Sequence, residues 1–164
     1  MNAEIATLFL DYSVRRLDDM TRCVEACFGK LNDEQIWQRQ AGHENAIGNL
    51  ILHLCGNMRQ WIMHGVEGAA DVRQRDLEFS TDGGMTGAQI LALFKETVAS
   101  AKQVIAPLPH ARLTERITPQ GRDVTVLEAI YQVVGHVQQH VGQIILLTKQ
   151  MAAQDLDLTI PRPR

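Results

Sequence analysis

Three features of the sequence predict an all-α fold built as a four-helix bundle. Apolar residues recur at three-and-four spacing over long stretches, the pattern of helices that bury one face. Aromatic residues make up only 5% of the chain, and Leu, Ile, Val and Ala supply most of the apolar set, which favours helix packing over a β-sandwich. A chain of 164 residues with 45% hydrophobic and 21% charged residues has the size and composition of one packed core. Residues 1–164 are therefore expected to form a single domain, with an extended tail over 152–164.

The elements follow in order. From Ile5 the positions Leu8, Phe9, Tyr12, Met20, Cys23, Val24 and Cys27 line one face of a long first helix that Gly29 stops. Asn32 with Gln35 three residues on is a capping signal for a short turn through Trp37. A second long helix runs from about Asn45 to His64 on Ile47, Leu50, Ile51, Leu54, Met58, Trp61 and Ile62, and Gly65 and Gly68 end it. Residues 69–84 are charged and close in Asp82-Gly83-Gly84, which reads as a connecting loop in which Arg73, Arg75 and Glu78 are solvated. An active-site flap is the alternative reading of those three residues. Thr86 with Gln89 opens a third helix that Pro107 and Pro109 terminate, and Leu113–Thr118 followed by Pro119-Gln120-Gly121 suggests a short extended segment and a turn. Thr125 with Glu128 is a capping box for a fourth helix reaching about Met151.

Charge and targeting signals exclude several classes. The formal net charge is -3, and basic residues form no run longer than a pair, so the electrostatic footprint of nucleic-acid binding is missing. The opening Met1-Asn2-Ala3-Glu4 places an acid where a secretion signal has a cation. Cys23, Cys27 and Cys55 form no Cys-x-x-Cys pair, and this usage suits a reducing cytoplasm. Residues 129–148 carry no Asp, Glu, Lys or Arg and have the length of a membrane span, yet His136, His140, Gln132, Gln138, Gln139 and Gln143 make a buried helix of a bundle the better reading.

The chemistry lies on the second and fourth helices. His136 and His140 are four residues apart on one helix face, the spacing that two ligands of one ion require. Val137 stands where a zinc protease carries its base, and Glu128 has no Glu-x-x-His partners, so metalloprotease and di-iron readings are poor. His53 lies mid-helix beside Asn49, Asn57 and Gln60 in a polar strip next to the apolar stripe. A lone histidine there is ordinarily a hydrogen-bonded core residue; contact between the two helices would instead let His53, His136 and His140 converge on one divalent transition metal with positions left for substrate. Asn49, Asn57, Gln139 and Gln143 are the candidate supporting polar groups. His43, His64 and His110 read as surface residues, and Cys23 with Cys27 as core.

One His in the second helix plus His-x-x-x-His in the fourth resembles the DinB/YfiT-like metalloproteins, the superfamily of bacillithiol S-transferases and mycothiol-dependent maleylpyruvate isomerase. The likeness covers nearly the whole chain, and the segments Ile47–Trp61 and Arg73–Phe79 carry it most specifically. The resemblance implies an up-down-down-up bundle, a zinc or nickel ion on His53, His136 and His140, and a homodimer. It further implies a thiol-dependent transferase or isomerase in which a low-molecular-weight thiol cosubstrate attacks a small-molecule electrophile. A metal-dependent hydrolase drawing on Glu78 or Glu128, and a stress-related protein that binds metal or a small molecule without turnover, are the competing readings.

Overall fold

The chain was analysed as a computed structural model, which describes residues 2–39 and 41–158. Four long helices form the core. The first, α1 (Ala3–Phe28), starts where the Asn2 side chain accepts the Glu4 amide, and Leu10, Leu17 and Val24 recur along its buried face every seven residues. A capping box of Asn32 and Gln35 opens the short α2 (Asp33–Trp37). Next comes α3 (Ile47–Met58), buried at nearly every position. It begins two residues later than its apolar pattern suggests, because Asn49 Oδ1 accepts the Ala46 amide and sets the first turn there.

The second long helix does not keep α geometry to its end. After Met58 it widens into a π-helix over Arg59–Glu67, and its buried residues Trp61, Ile62 and Val66 follow the wider turn. Gly68 closes it in the left-handed region at φ 89, and the Gly68 and Ala69 amides satisfy the last carbonyls of the helix.

The segment 69–84 departs from its expected solvated loop. It contains a helix, α4 (Arg75–Ser80), packed on α3, and the charged side chains of Arg73 and Glu78 are buried while apolar Leu77 is exposed. Burial here follows charge pairing, which hydropathy cannot register.

The remaining elements are α5 (Gly87–Ile105), capped by Thr86 and Gln89, and α6 (Val126–Ala152), capped by Thr125 and Glu128. Between them a short 3₁₀ turn leads to β1 (Arg116–Ile117), which pairs antiparallel with β2 (Val124–Thr125) in the register Arg116↔Thr125. Both α1 and α3 pack against α5 and α6, so the core fills the space enclosed by these four. The chain leaves α6 at Ala153, and Leu156 and Leu158 of the tail fold back on the core; the tail beyond residue 158 lies outside the described residues. Among the described residues, no helix is long and apolar enough to cross a membrane.

Candidate metal centre

Packing of α3 against α6 brings His53 to His136 and His140, and one potential ligand atom from each lies within 4.8 Å of the others. The closest pair is His53 Nε2 and His136 Nε2 at 2.9 Å. The three rings stand nearly perpendicular to one another, with interplanar angles of 76°, 82° and 88° and centroids 4.5–5.2 Å apart. The three rings meet edge to face instead of stacking. His53 is buried and the other two are half-buried.

The outer ring nitrogens set the tautomers. His53 Nδ1 lies 2.9 Å from Glu78 Oε2, and because a carboxylate only accepts, Nδ1 carries the proton and Nε2 is left with its lone pair. His140 Nδ1 donates in the same way to Gln143 Oε1 at 2.7 Å. Fixing the far nitrogen as donor is how proteins prepare imidazole to bind a metal.

Burial pushes the His136 imidazole down to about 4, with the neighbouring His140 and His53 adding to the effect. His140 is lowered as well, first by burial and then by His53, against the opposing hydrogen bond to Gln143. At neutral pH these rings are therefore neutral and able to donate lone pairs. Such a set of borderline nitrogen donors could hold a divalent transition metal ion.

Glu78 is the residue that sequence reasoning placed wrongly. Burial alone would raise its carboxyl, but hydrogen bonds from Arg73 and His53 together hold it below the ordinary carboxylate range. Arg73 grips it with one edge of the guanidinium, Nε to Oε1 at 2.7 Å and Nη2 to Oε2 at 2.8 Å. Arg73 Nη2 also lies 3.2 Å from His53 Nδ1. Both groups only donate in this arrangement, so that contact reflects their common acceptor Oε2 and is no hydrogen bond. Arg73 Nη1 in turn donates to Gln60 Oε1, which accepts from Gln120 as well, while the Gln60 amide donates to Asp71.

The approach of Glu78 to α3 requires glycine at position 56, one turn beyond His53. A Cβ there would lie 1.9 Å from Glu78 Oε1 and 2.8 Å from its Cδ. The short α4 supplies a second contact, since the Phe79 ring packs on His53 at 4.8 Å between centroids and carries the Arg75 guanidinium at 5.0 Å on its face.

The other expected polar groups take different places. Asn49 is fully buried and anchors α4, its amide donating to the Glu78 and Thr81 carbonyls while its Oδ1 accepts from Arg39. Arg39 reaches the Phe79 and Thr81 carbonyls as well, a cation placed at the C-terminal end of α4. Asn57 is buried and its Oδ1 has no partner among the described residues. Gln139 is exposed, whereas Gln143 contacts His140 directly. His43 and His110 are exposed, and His64 Nδ1 meets the Ala69 carbonyl. The three cysteines are free thiols. For Arg73 and Glu78 the sequence signals were the alternative reading of an active-site flap and the resemblance carried by Arg73–Phe79; for Gly56 the signal was the resemblance carried by Ile47–Trp61.

This helical fold is that of the DinB-like proteins. Residues 4–164 match a DinB-like family described as protein of unknown function DUF1572, and the chain belongs to that family. Among solved structures, a DinB-like protein from Bacillus cereus superposes with a TM-score of 0.68 at 16% identity, covering 95% of each chain. No curated protein matches the sequence.

Proposed function

We propose that this protein is a metal-dependent enzyme, a thiol-dependent S-transferase or isomerase that joins a low-molecular-weight thiol to a small electrophilic substrate. The same reading takes residues 1–164 as one up-down-down-up four-helix domain that works as a cytoplasmic homodimer. One observation carries it: His53, His136 and His140 meet with their inner nitrogens, and Glu78 and Gln143 hold two of the rings by the outer nitrogen.

The donor set fits the ion. One nitrogen from each of the three rings lies within 4.8 Å of the others, and His53 Nε2 and His136 Nε2 are 2.9 Å apart, so three imidazole donors share one place. His53, His136 and His140 would hold zinc or nickel, and the bound ion would lower the pKa of a coordinated thiol so that a thiolate is available at neutral pH. No separate base is then needed, in keeping with the carboxylates present. Glu78 is fully engaged by Arg73 and His53, and Glu128 accepts the Thr125 amide and hydroxyl in its cap. A hydrolase would gain from a free carboxylate to relay a proton, so these contacts favour the transferase. The chain's own residues keep His136 and His140 neutral, orient His53 and His140, and cover His53 on one side with the Phe79 ring.

Elemental analysis after exposure to nickel or zinc tests the site: about one equivalent per chain is expected, lost in the His53/His136/His140 triple alanine variant. Cobalt-loaded protein then tests the chemistry. A sulfur-to-metal charge-transfer band with glutathione, mycothiol or bacillithiol supports the proposal. Absence of the band with all three, accompanied by ester or amide turnover, assigns a hydrolase; absence of both band and turnover assigns a non-catalytic binding protein.

A further inference from the structure

We propose that a cavity apart from the histidines, bounded by α3, α4, α5 and the segment before α4, binds a small amphipathic anion, a carboxylate or sulfonate carried on an apolar body. The cavity has a volume of about 310 Å³, and none of the three histidines lines it. That volume is at the lower end for small-ligand pockets. Its walls include Leu52 of α3, Leu77 of α4 and Leu93 of α5, and Arg59 completes the rim.

Three independent observations define the ligand. The first is apolar surface left in contact with water: Val72 and Leu77, exposed by 75% and 56%, both line this cavity. Among the described residues, the other large exposed apolar side chains, Ile5, Leu8, Tyr12, Tyr131 and Leu146, lie on α1 and α6. Apolar side chains gathered at the mouth of a concavity mark a place where an apolar body is buried.

The second is charge. Arg59 is exposed and makes no ion pair or side-chain hydrogen bond among the described residues, unlike Arg73 beside it, which is committed to Glu78. Since Arg73 and Glu78 compensate each other, Arg59 leaves the cavity with one uncancelled positive charge. A carboxylate would pair with the Arg59 fork while its body lies along Leu52, Leu77 and Leu93.

The third is rigidity. The cavity shares a wall with the Glu78–Arg73 pair, which Gly56, Gln60 and His53 hold in place, so the pocket is preformed and its occupant pays little ordering entropy.

Calorimetric titration of the full chain, stripped of metal with a chelator, tests this site without reference to the metal centre. The probes are octanoate and 3-phenylpropanoate, with octanamide as the neutral analogue. At least one carboxylate should bind, and octanamide should bind about tenfold more weakly. Arg59→Gln should weaken the carboxylate about tenfold and leave octanamide unchanged, because only the charge-assisted contact is lost. Leu77→Trp, a change at an exposed position that fills the mouth, should weaken both. His136→Ala should leave carboxylate binding as it is, which separates this cavity from a carboxylate captured at the histidines. No binding of either carboxylate to the wild-type chain, equal affinity of Arg59→Gln and wild type for the carboxylate, or undiminished binding to Leu77→Trp would overturn the proposal.

Discussion

Replacing Gly56 with alanine adds a single methyl group at the point where Glu78 leans on α3. In an ordinary helix interior this change stabilises by about 1 kcal/mol, since alanine is the better helix former. Here the new Cβ would stand 1.9 Å from Glu78 Oε1. The carboxylate must retreat by more than about 1 Å to reach tolerable contact. Its 2.9 Å hydrogen bond to His53 Nδ1 would then open to about 4 Å, beyond hydrogen-bond range. The Arg73 guanidinium, whose side chain is only 3% exposed, would lose its bidentate partner or be dragged toward solvent with it. Breaking a buried pair costs about 3–5 kcal/mol, which outweighs the helix gain and leaves a net destabilisation of about 2–4 kcal/mol. Loss of the partner that orients a metal-binding imidazole should lower zinc or nickel affinity about 10- to 100-fold. Urea unfolding of the metal-free protein and a competition titration with a chromophoric chelator measure the two effects. Gly135→Ala on α6 is the control, because a Cβ there meets nothing within 4 Å; it should stabilise and leave metal affinity unchanged. A Gly56→Ala protein more stable than wild type, with metal affinity within twofold, would refute the placement of Glu78 against His53.

Other consequences can be measured on the same protein. Glu78→Gln keeps the shape but removes the charge opposite Arg73, so metal affinity should fall about 10-fold or more while Gly56→Ala added to it costs little further, as expected for residues acting through one contact; additive losses would contradict this. His136→Ala should retain its helical circular dichroism and cooperative unfolding, because the apolar core of α1, α3, α5 and α6 does not include the imidazoles; non-cooperative unfolding would make the site structural. In the metal-free protein, the depressed His136 pKa means that the unfolded chain takes up a proton near pH 6.5 and the folded chain only near about 4. Stability is therefore full above about pH 6.5 and falls as pH drops through that window. Glu78, lowered from the carboxylate range, adds a further loss at more acid pH. His136→Ala should flatten the first part of the curve, and an unchanged slope between pH 6.5 and 4 would show that the ring is not buried as described. Bound metal should steepen the same fall, since protons compete for its ligands.

The sequence by itself determined the helices and the register of the histidines. Caps are local chemistry, so Asn32/Gln35, Thr86/Gln89 and Thr125/Glu128 are legible within four residues and all form as read. The spacing of His136 and His140 is likewise a property of one helix, and the polar strip at His53 announced a face that was not wholly core. Only the tertiary structure decided what supports that face. Arg73 and Glu78 sit in a stretch as polar as any solvated loop, and their burial depends on a pairing with each other and with a histidine 25 residues from Glu78 in the chain. Gly56 looks like a weak point in a helix until Glu78 is laid across it. The π-helix after Met58, which carries Gln60 to its contact with Arg73, is equally invisible in an apolar pattern counted at 3.6 residues per turn. Periodicity and capping report a segment's own backbone preferences; a buried ion pair is a property of two segments meeting, and its favourable Coulomb energy exists only once packing has excluded water around both charges.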